Sequence, residues 1–261
     1  MQAHFPDVVE IYRDALTSQG YSQSAIYQRT RLLRALGVSP NDATREDVLA
    51  VMERATKASS RRVYLNMLRA SFSDLRDLGL VDHDPTVGLK TPTPPRGRPH
   101  PLNAREVAAL LDMTGRERDW TIFGLRAGLR AHEVVQVRPC HLEWHDAGWM
   151  LRIPNGKGSL DAAVPAHPSI VKFLEPIRES DHVLWPIRAS HMSSQWKLAA
   201  ERVGVTGRRF HDLRHTFASS VYSNTGDLLV TRDLLRHASV QTTQVYALPD
   251  ESRAFDAVAG L

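Results

Sequence analysis

A proline-rich segment is the feature that most constrains the fold. Five prolines lie within residues 91–101, TPTPPRGRPHP. Proline fixes φ and lacks the amide proton, so this segment cannot continue a helix and favours an extended connector. The sequence therefore predicts two domains, residues 1–90 and 102–261, joined by a linker at 91–101.

The first domain shows helical periodicity with almost no strand-like alternation. Four helices are expected, at residues 5–19, 22–36, 44–55 and 59–79. Three hydroxyl residues stand where an N-cap is useful: Ser22, Thr44 and Ser59. Three glycines stand just past helix ends: Gly20, Gly37 and Gly79. The pattern predicts a small helical bundle.

The second domain mixes helices with a small amount of β-structure. A capping pattern at Asn103 opens one helix, and residues 122–137 indicate another. Residues 148–153 and 161–165 alternate like strands around Asn155-Gly-Lys-Gly158, which is typical of a hairpin turn. Helical periodicity resumes at Ser169. We expect a mainly α protein with a small β-hairpin or sheet.

The composition favours a protein of the cell interior. The 33 basic and 29 acidic residues give a net charge of +4, which permits basic patches suited to a phosphate backbone. No run of 18 apolar residues predicts a membrane span, and the N-terminus has no signal-peptide pattern. The single cysteine, Cys140, cannot form an intrachain disulfide. We expect a cytoplasmic protein without a membrane partner.

A histidine and an arginine three residues apart suggest phosphate chemistry. His211 and Arg214 in FHDLRHTFAS share one helical face. A guanidinium can hold two oxygens of a phosphodiester while an imidazole transfers a proton. The alternative is a partly buried helix whose polar side chains bind local carboxylates.

Zinc binding is a second hypothesis for this helix. His211 and His215 are four residues apart, as in helical zinc motifs. However, Asp212 stands where those motifs need glutamate, and Arg214 would place a cation beside the metal. His141 and His145 share the spacing, but we predict a loop there with a surface or packing role.

Two further positions are weak signals alone. Arg130 and Glu133 in GLRAHEV are spaced for a helical ion pair, which is ordinarily a modest surface contact. Lys157 lies at the predicted hairpin tip, where lysine ordinarily keeps a turn soluble.

His237 and Tyr246 add a geometric requirement. Nine helical residues turn through about 900°, so the two side chains would lie on opposite sides of one straight helix. If they share a site, the chain must bend between them. Ala238-Ser239 is the predicted break, with Ser239 capping a second short helix.

Two groups of arginines in the first domain allow two interpretations. They are Arg29, Arg31 and Arg34 on the second helix, and Arg61, Arg62 and Arg69 on the fourth. Each group is either a solvated helix face or a stripe that tracks DNA phosphates.

The order of these signals resembles the tyrosine recombinases of the lambda-integrase type. It runs Arg, Lys, His-x-x-Arg, His, Tyr, carried by GLRAHEV, FHDLRHTFAS and LLRHASVQTTQVY. The resemblance covers nearly the whole chain. It implies a SAM-like helical core-binding domain at 1–90 and an α+β catalytic domain at 102–261. It also favours the DNA reading of the six arginines.

The resemblance also implies roles for the site residues. Arg130 and Arg214 clamp the scissile phosphate, and Glu133 supports the first of these arginines. Lys157 protonates the leaving 5′ oxygen and His211 assists proton transfer. The remaining two act on phosphorus and its oxygens: His237 as a hydrogen-bond donor and Tyr246 as the nucleophile.

The implied function is site-specific DNA recombination through a 3′-phosphotyrosine and a Holliday junction, without metal or ATP. The implied partners are double-stranded DNA with recombination sites and a homotetramer on DNA, in which the tail 247–261 docks on a neighbouring subunit. Accessory DNA-bending proteins stay open. Alternatives are a type IB topoisomerase, a telomere resolvase or a catalytically inactive DNA-binding regulator.

Two departures from the family pattern are visible. Arg236 stands where the family usually has glycine, so it either contacts DNA or alters the helix end. We also expect no separate arm-site DNA-binding domain before the first helix.

Overall fold

The computed structural model describes residues 5–93, 100–153, 162–237, 239 and 242–246. The chain divides into two compact units, residues 1–97 and 98–261. The division falls within the segment that the sequence marks as a linker.

The first unit is a bundle of four helices. Fully buried Tyr12, Leu33 and Phe72 are among its core residues. The helices match the four predicted ones and are α1 (Phe5–Ser18), α2 (Gln23–Arg34), α3 (Arg45–Glu53) and α4 (Ala58–Asp77).

Two of the three predicted N-caps of this unit are confirmed. The Ser22 side chain accepts a hydrogen bond from the Ala25 amide, and Thr44 forms a reciprocal capping box with Asp47. The prediction for Ser59 is wrong: α4 begins at Ala58, so Ser59 lies inside its first turn. The three predicted helix-end glycines all have positive φ: Gly20, Gly37 and Gly79.

The second unit begins with three helices, α5 (Ala104–Leu111), α6 (Arg116–Ala127) and α7 (Ala131–Val134). Asn103 and Glu106 form the predicted capping box of α5. The single helix predicted at 122–137 is wrong, because Gly128 at φ 60° ends α6 in a left-handed turn.

A three-stranded antiparallel sheet follows: β1 (Leu142–His145), β2 (Gly148–Ile153) and β3 (Ala162–Pro165), in that order. The strand at 148–153 is confirmed and the next one begins by 162. The predicted turn at 155–158 lies outside the described residues.

The loop predicted at 141–145 is wrong, because residues 142–145 form an edge strand. Leu142 pairs with Leu151, and both are buried. Trp144 pairs with Trp149, and their rings meet edge to face at 5.3 Å. These cross-strand pairs supply the packing that makes this segment a strand.

Four further α-helices lie among the described residues of the second unit. They are α8 (Pro168–Leu174), α9 (Ala189–Arg202), α10 (Phe210–Thr225) and α11 (Leu228–Leu235). A short 3-10 turn at Gln244–Tyr246 follows. The fold is mainly α with one small sheet, as predicted.

Close packing of α10 on α6 positions Arg214. A Cβ on Gly124 would lie 2.8 Å from Leu213 Cβ, and one on Gly128 would lie 2.5 Å from Phe217 Cδ1. The two helices therefore approach as closely as they do because both glycines lack a side chain. This approach brings the loop after α6 next to Arg214 of α10.

No helix among the described residues is long and apolar enough to cross a membrane.

Gly124→Ala tests this packing. Alanine in a helix interior ordinarily gains up to about 1 kcal/mol over glycine. Here we expect a loss of about 1–3 kcal/mol in the free energy of unfolding, because the added methyl overlaps Leu213. Urea unfolding followed by tryptophan fluorescence measures it. A variant at least as stable as the parent contradicts the packing described.

Candidate active site

Arg214 is the buried centre of the candidate site. It lies in the first half of α10, and only 1% of its side chain is exposed. Its guanidinium donates hydrogen bonds to the carbonyl oxygens of Gly128 and Leu235. Burial, reinforced by Arg130 and Arg236, lowers the pKa of Arg214 to about 9. The group stays charged at neutral pH and links the end of α6 to the end of α11.

Glu133 forms ion pairs with three arginines. Its Oε1 accepts from the Arg130 side chain at 2.9 Å, and its Oε2 accepts from the Arg130 amide at 2.7 Å. Oε2 also accepts from Arg236 at 2.8 Å, and Arg214 lies 3.9 Å away. Burial raises the pKa of Glu133, but Arg236, Arg130 and Arg214 outweigh it, so the pKa lies below its ordinary value.

Three guanidinium groups around one carboxylate leave an excess of positive charge. Arg130 is the most accessible of the three, with 34% of its side chain exposed. Such a cluster is suited to bind a phosphate oxyanion.

Two histidines of α10 lie beside this cluster. The rings of His211 and His215 meet edge to face with centroids 4.7 Å apart. Desolvation by the surrounding protein, then His215, Arg214 and Arg130, lower the pKa of His211 to about 4. Partial burial also lowers the pKa of His215. Both imidazoles are therefore neutral at pH 7 and able to accept a proton.

The Tyr246 hydroxyl contacts His215. Tyr246 is 8% exposed and packs with Ala218 and Leu235. Its Oη lies 2.7 Å from His215 Nδ1. Burial raises the pKa of Tyr246, while Arg214 and Arg130 oppose part of that rise. The phenol is therefore protonated in this arrangement, with an imidazole nitrogen in contact.

His237 faces the same charges from the chain that follows α11. Burial, then Arg214, Arg130 and Arg236, lower its pKa to about 4. Its Nδ1 lies 3.0 Å from the hydroxyl of buried Thr243.

The helix that precedes His237 ends before it, so His237 and Tyr246 do not share one straight helix. Helix α11 ends at Leu235, and Arg236 adopts a left-handed conformation at φ 55°. Ala238 of the predicted break at Ala238-Ser239 lies outside the described residues, so the break itself stays a prediction. A well-formed left-handed turn at a residue other than glycine is not visible in the sequence pattern.

The structure brings most predicted site residues together. Hydrogen bonds and ion pairs join Arg130 and Glu133 directly, with Arg214 beside them. Electrostatic interactions tie His211 and His237 to the same arginines. Lys157 lies outside the described residues.

Sequence reasoning missed two members of the site, His215 and Arg236. The i, i+4 spacing from His211 places His215 on the same face of α10 and is the sequence signal for it. The described residues hold no cluster of three or more histidine, cysteine, aspartate or glutamate side chains that could bind a metal ion.

A basic pocket adjoins His211. It has a volume of about 360 Å³, and its lining includes Lys197, Arg209 and His211. Two side chains from opposite ends of the chain segment 197–209 thus bring positive charge to one pocket beside the histidine.

The arginines of the first unit differ in their contacts. Arg29 is 16% exposed; it ion-pairs with Asp74 at 2.5 Å and donates to Tyr12 Oη at 3.0 Å. Arg61 donates to the Ala55 carbonyl, and Arg69 to the Leu89 carbonyl. These three side chains stabilise the unit itself.

The other three arginines lie closer to solvent. Arg31 donates to Gln28, and Arg34 ion-pairs with Glu10 at 2.5 Å while 52% of its side chain is exposed. Arg62 is exposed. These three side chains are therefore more accessible to solvent than Arg29.

Comparisons with known proteins identify the family of the chain. Residues 101–253 match the model described as "Phage integrase family". Tyrosine recombinase XerD of Listeria monocytogenes serotype 4b (strain F2365) is 30% identical over 272 residues, covering 92% of this chain and 90% of the relative. Tyrosine recombinase XerC of Xanthomonas axonopodis pv. citri is 29% identical, covering 77% and 71%.

Solved structures share the fold. A lambda integrase dimer bound to a COC' core site aligns with a TM-score of 0.70 at 16% identity, covering 94% of this chain and 77% of that one. XerH site-specific recombinase bound to difH substrate aligns with a TM-score of 0.68 at 17% identity, covering 99% and 85%.

The chain belongs to the phage integrase family. Within that family it is a tyrosine recombinase, so it is a site-specific DNA recombinase.

Glu133→Gln tests the charge balance of the site. Among the described residues, Glu133 is the one carboxylate in this cluster. Removing its charge leaves three arginines without a carboxylate partner, and we expect a loss of about 3 kcal/mol in unfolding free energy at pH 7. The folded-state pKa of Glu133 is lowered, so its stabilisation is present above the ordinary carboxyl pKa. The difference between variant and parent should shrink as pH falls through that folded-state pKa.

Urea unfolding at neutral and acid pH measures this difference. Glu201→Gln is the matched control, because Glu201 forms an exposed ion pair with Lys197 at 3.7 Å. It should change stability by less than about 0.5 kcal/mol. Equal losses in the two variants contradict a structural role for Glu133.

Proposed function

We propose that this recombinase cleaves and rejoins DNA strands with Tyr246 as the nucleophile. Its phenolic oxygen attacks phosphorus, a 3′-phosphotyrosyl bond forms, and the 5′ oxygen leaves. The 5′ hydroxyl of a second strand then attacks the phosphotyrosine and releases the tyrosine, through a Holliday junction. One observation carries the proposal: the Tyr246 hydroxyl contacts a histidine nitrogen at 2.7 Å beside clustered arginines.

The arginines supply the electrostatic part of this reaction. Phosphoryl transfer develops charge on the equatorial oxygens and is accelerated by positive groups fixed in advance. Arg214 is held by two carbonyl oxygens and Arg130 by Glu133, so neither has to reorganise during attack. We propose that both bind the non-bridging oxygens, and that His237 donates a hydrogen bond to one of them.

The protons need an acceptor and a donor. Because burial raises the pKa of Tyr246, the phenol must lose its proton as it attacks. His215 is in contact and neutral, so we propose that it accepts this proton, with His211 assisting. Lys157 is the proposed donor to the leaving 5′ oxygen.

No cofactor is required in this scheme. The covalent phosphotyrosine conserves the energy of the broken phosphodiester, so rejoining needs no ATP. The positive charge that a metal ion would supply comes from the arginines.

The proposed partner is double-stranded DNA carrying specific recombination sites, met in the cytoplasm. Arg31, Arg34 and Arg62 of the first unit, and the basic pocket beside His211, would contact phosphates. Arg29, Arg61 and Arg69 would support the same surface from within the fold.

The proposed assembly is a homotetramer on paired sites. The tail 247–261, which lies outside the described residues, would dock on a neighbouring subunit. Size-exclusion chromatography with and without DNA checks this: the chain should assemble only on DNA, and a variant ending at Ala247 should not. Normal assembly of the shortened variant contradicts the tail's role.

Covalent capture tests the nucleophile. The full chain is incubated with EDTA and a pool of randomly nicked duplex DNA. Where a nick lies just beyond the cleavage position, the short fragment that carries the free 5′ hydroxyl diffuses away and religation is lost. Denaturing gels should show a protein–DNA adduct, and sequencing its DNA yields the site. Tyr246→Phe should abolish the adduct, whereas Tyr222→Phe, on α10, should keep it. An adduct formed by Tyr246→Phe shows the assignment to be wrong.

Two arginine variants separate DNA contact from folding. Arg62→Ala should weaken binding to the captured duplex and reduce the salt slope of binding by about 1, without a change in stability. Arg29→Ala should destabilise the first unit, because it breaks the ion pair with Asp74. Fluorescence-anisotropy titrations over a range of salt, paired with urea unfolding, measure both. Reversed effects contradict the division of roles.

A further inference from the structure

Arg236 occupies a conformation that a side chain ordinarily avoids. Its φ is 55° and its ψ is 44°, and among the described residues no other non-glycine has positive φ. Left-handed backbone is unfavourable for residues with a Cβ, and helix ends of this kind ordinarily use glycine. An arginine here therefore indicates that its side chain compensates for the strained turn.

The side chain turns inward and crosses to another helix. It is only 10% exposed, although it lies at a helix end. One guanidinium nitrogen donates to the Leu234 carbonyl at 3.0 Å, and another donates to Glu133 Oε2 at 2.8 Å. The contact joins the end of α11 to α7 over 103 residues of sequence.

This contact determines how the Glu133 carboxylate is shared. Arg236 and the Arg130 amide both occupy Oε2, while the Arg130 side chain takes Oε1. Arg214 stays 3.9 Å from Oε2 and directs its hydrogen bonds to Gly128 and Leu235 instead. The carboxylate is thereby held on both oxygens and cannot rotate toward Arg214.

We infer that Arg236 is a positioning residue: it locks Glu133 and so fixes the orientation of the Arg130 guanidinium toward the DNA phosphate. The inference rests on the proposed function. Arg236 acts through Glu133 and not by touching DNA, since its guanidinium is already bonded within the protein. It adds a third cation to the cluster without adding an exposed one.

Arg236→Gly separates the side chain from the backbone. Glycine keeps the left-handed turn and removes its strain, so a residue that only ends the helix predicts a variant of equal or greater stability and unchanged cleavage. A positioning role predicts single-turnover adduct formation slowed at least tenfold on the captured duplex, with DNA affinity within about twofold of the parent.

A second measurement does not depend on cleavage. Arg236 is one of the cations that lower the pKa of His237. In Arg236→Gly the pKa of His237, followed by histidine NMR, should therefore rise toward its ordinary value. This shift reports whether the Arg236 side chain carries its charge into the cluster, and the cleavage rate at unchanged DNA affinity separates positioning from a helix-end role.

Arg232→Ala is the matched control. Arg232 lies on the same helix and pairs with Asp233 at 2.7 Å, outside the cluster. It should keep both the cleavage rate and the His237 pKa. Parent-like cleavage by Arg236→Gly, or an equal loss in Arg232→Ala, overturns the inference. If the parent itself forms no adduct, the proposed function fails, and the His237 titration still decides whether Arg236 controls the charge of the cluster.

Discussion

The buried guanidinium of Arg214 is the interaction on which the rest of the site depends. A charge this deep is costly unless every donor finds a partner and the charge is compensated. The carbonyl oxygens of Gly128 and Leu235 and the nearby Glu133 meet that need. Because these partners come from three separate segments, satisfying one side chain determines where α6, α7 and α11 end relative to α10.

Much of this could be predicted from the sequence where the signal was local. The four helices of the first unit follow from periodicity, and capping at Ser22 and Thr44 follows from residues three apart. The Arg130–Glu133 pair is also local, and its ion pair forms as the spacing indicates. Local spacing could not tell that Glu133 would be buried beside Arg214 and Arg236.

The rest depends on contacts between distant segments. The contact between His215 and Tyr246 spans 31 residues and exists only because the chain turns after α11. Arg29 is a second residue whose surroundings depend on distant segments. Its place among basic residues on α2 favoured a solvent-facing role, but Asp74 and Tyr12, both far along the chain, draw it into the fold. Charge patterns in a sequence do not reveal which charges are already neutralised.

Gly128 has a consequence for how such a site can change over time. Its positive φ ends α6, its missing Cβ admits the Phe217 ring, and its carbonyl accepts from Arg214. Gly128 thus contributes both to the packing of α6 and to holding Arg214, so a substitution there affects the fold and the site together. Substitutions that change the site without changing the fold are therefore expected at positions such as 236. There the backbone conformation can be kept while the side chain makes different interactions.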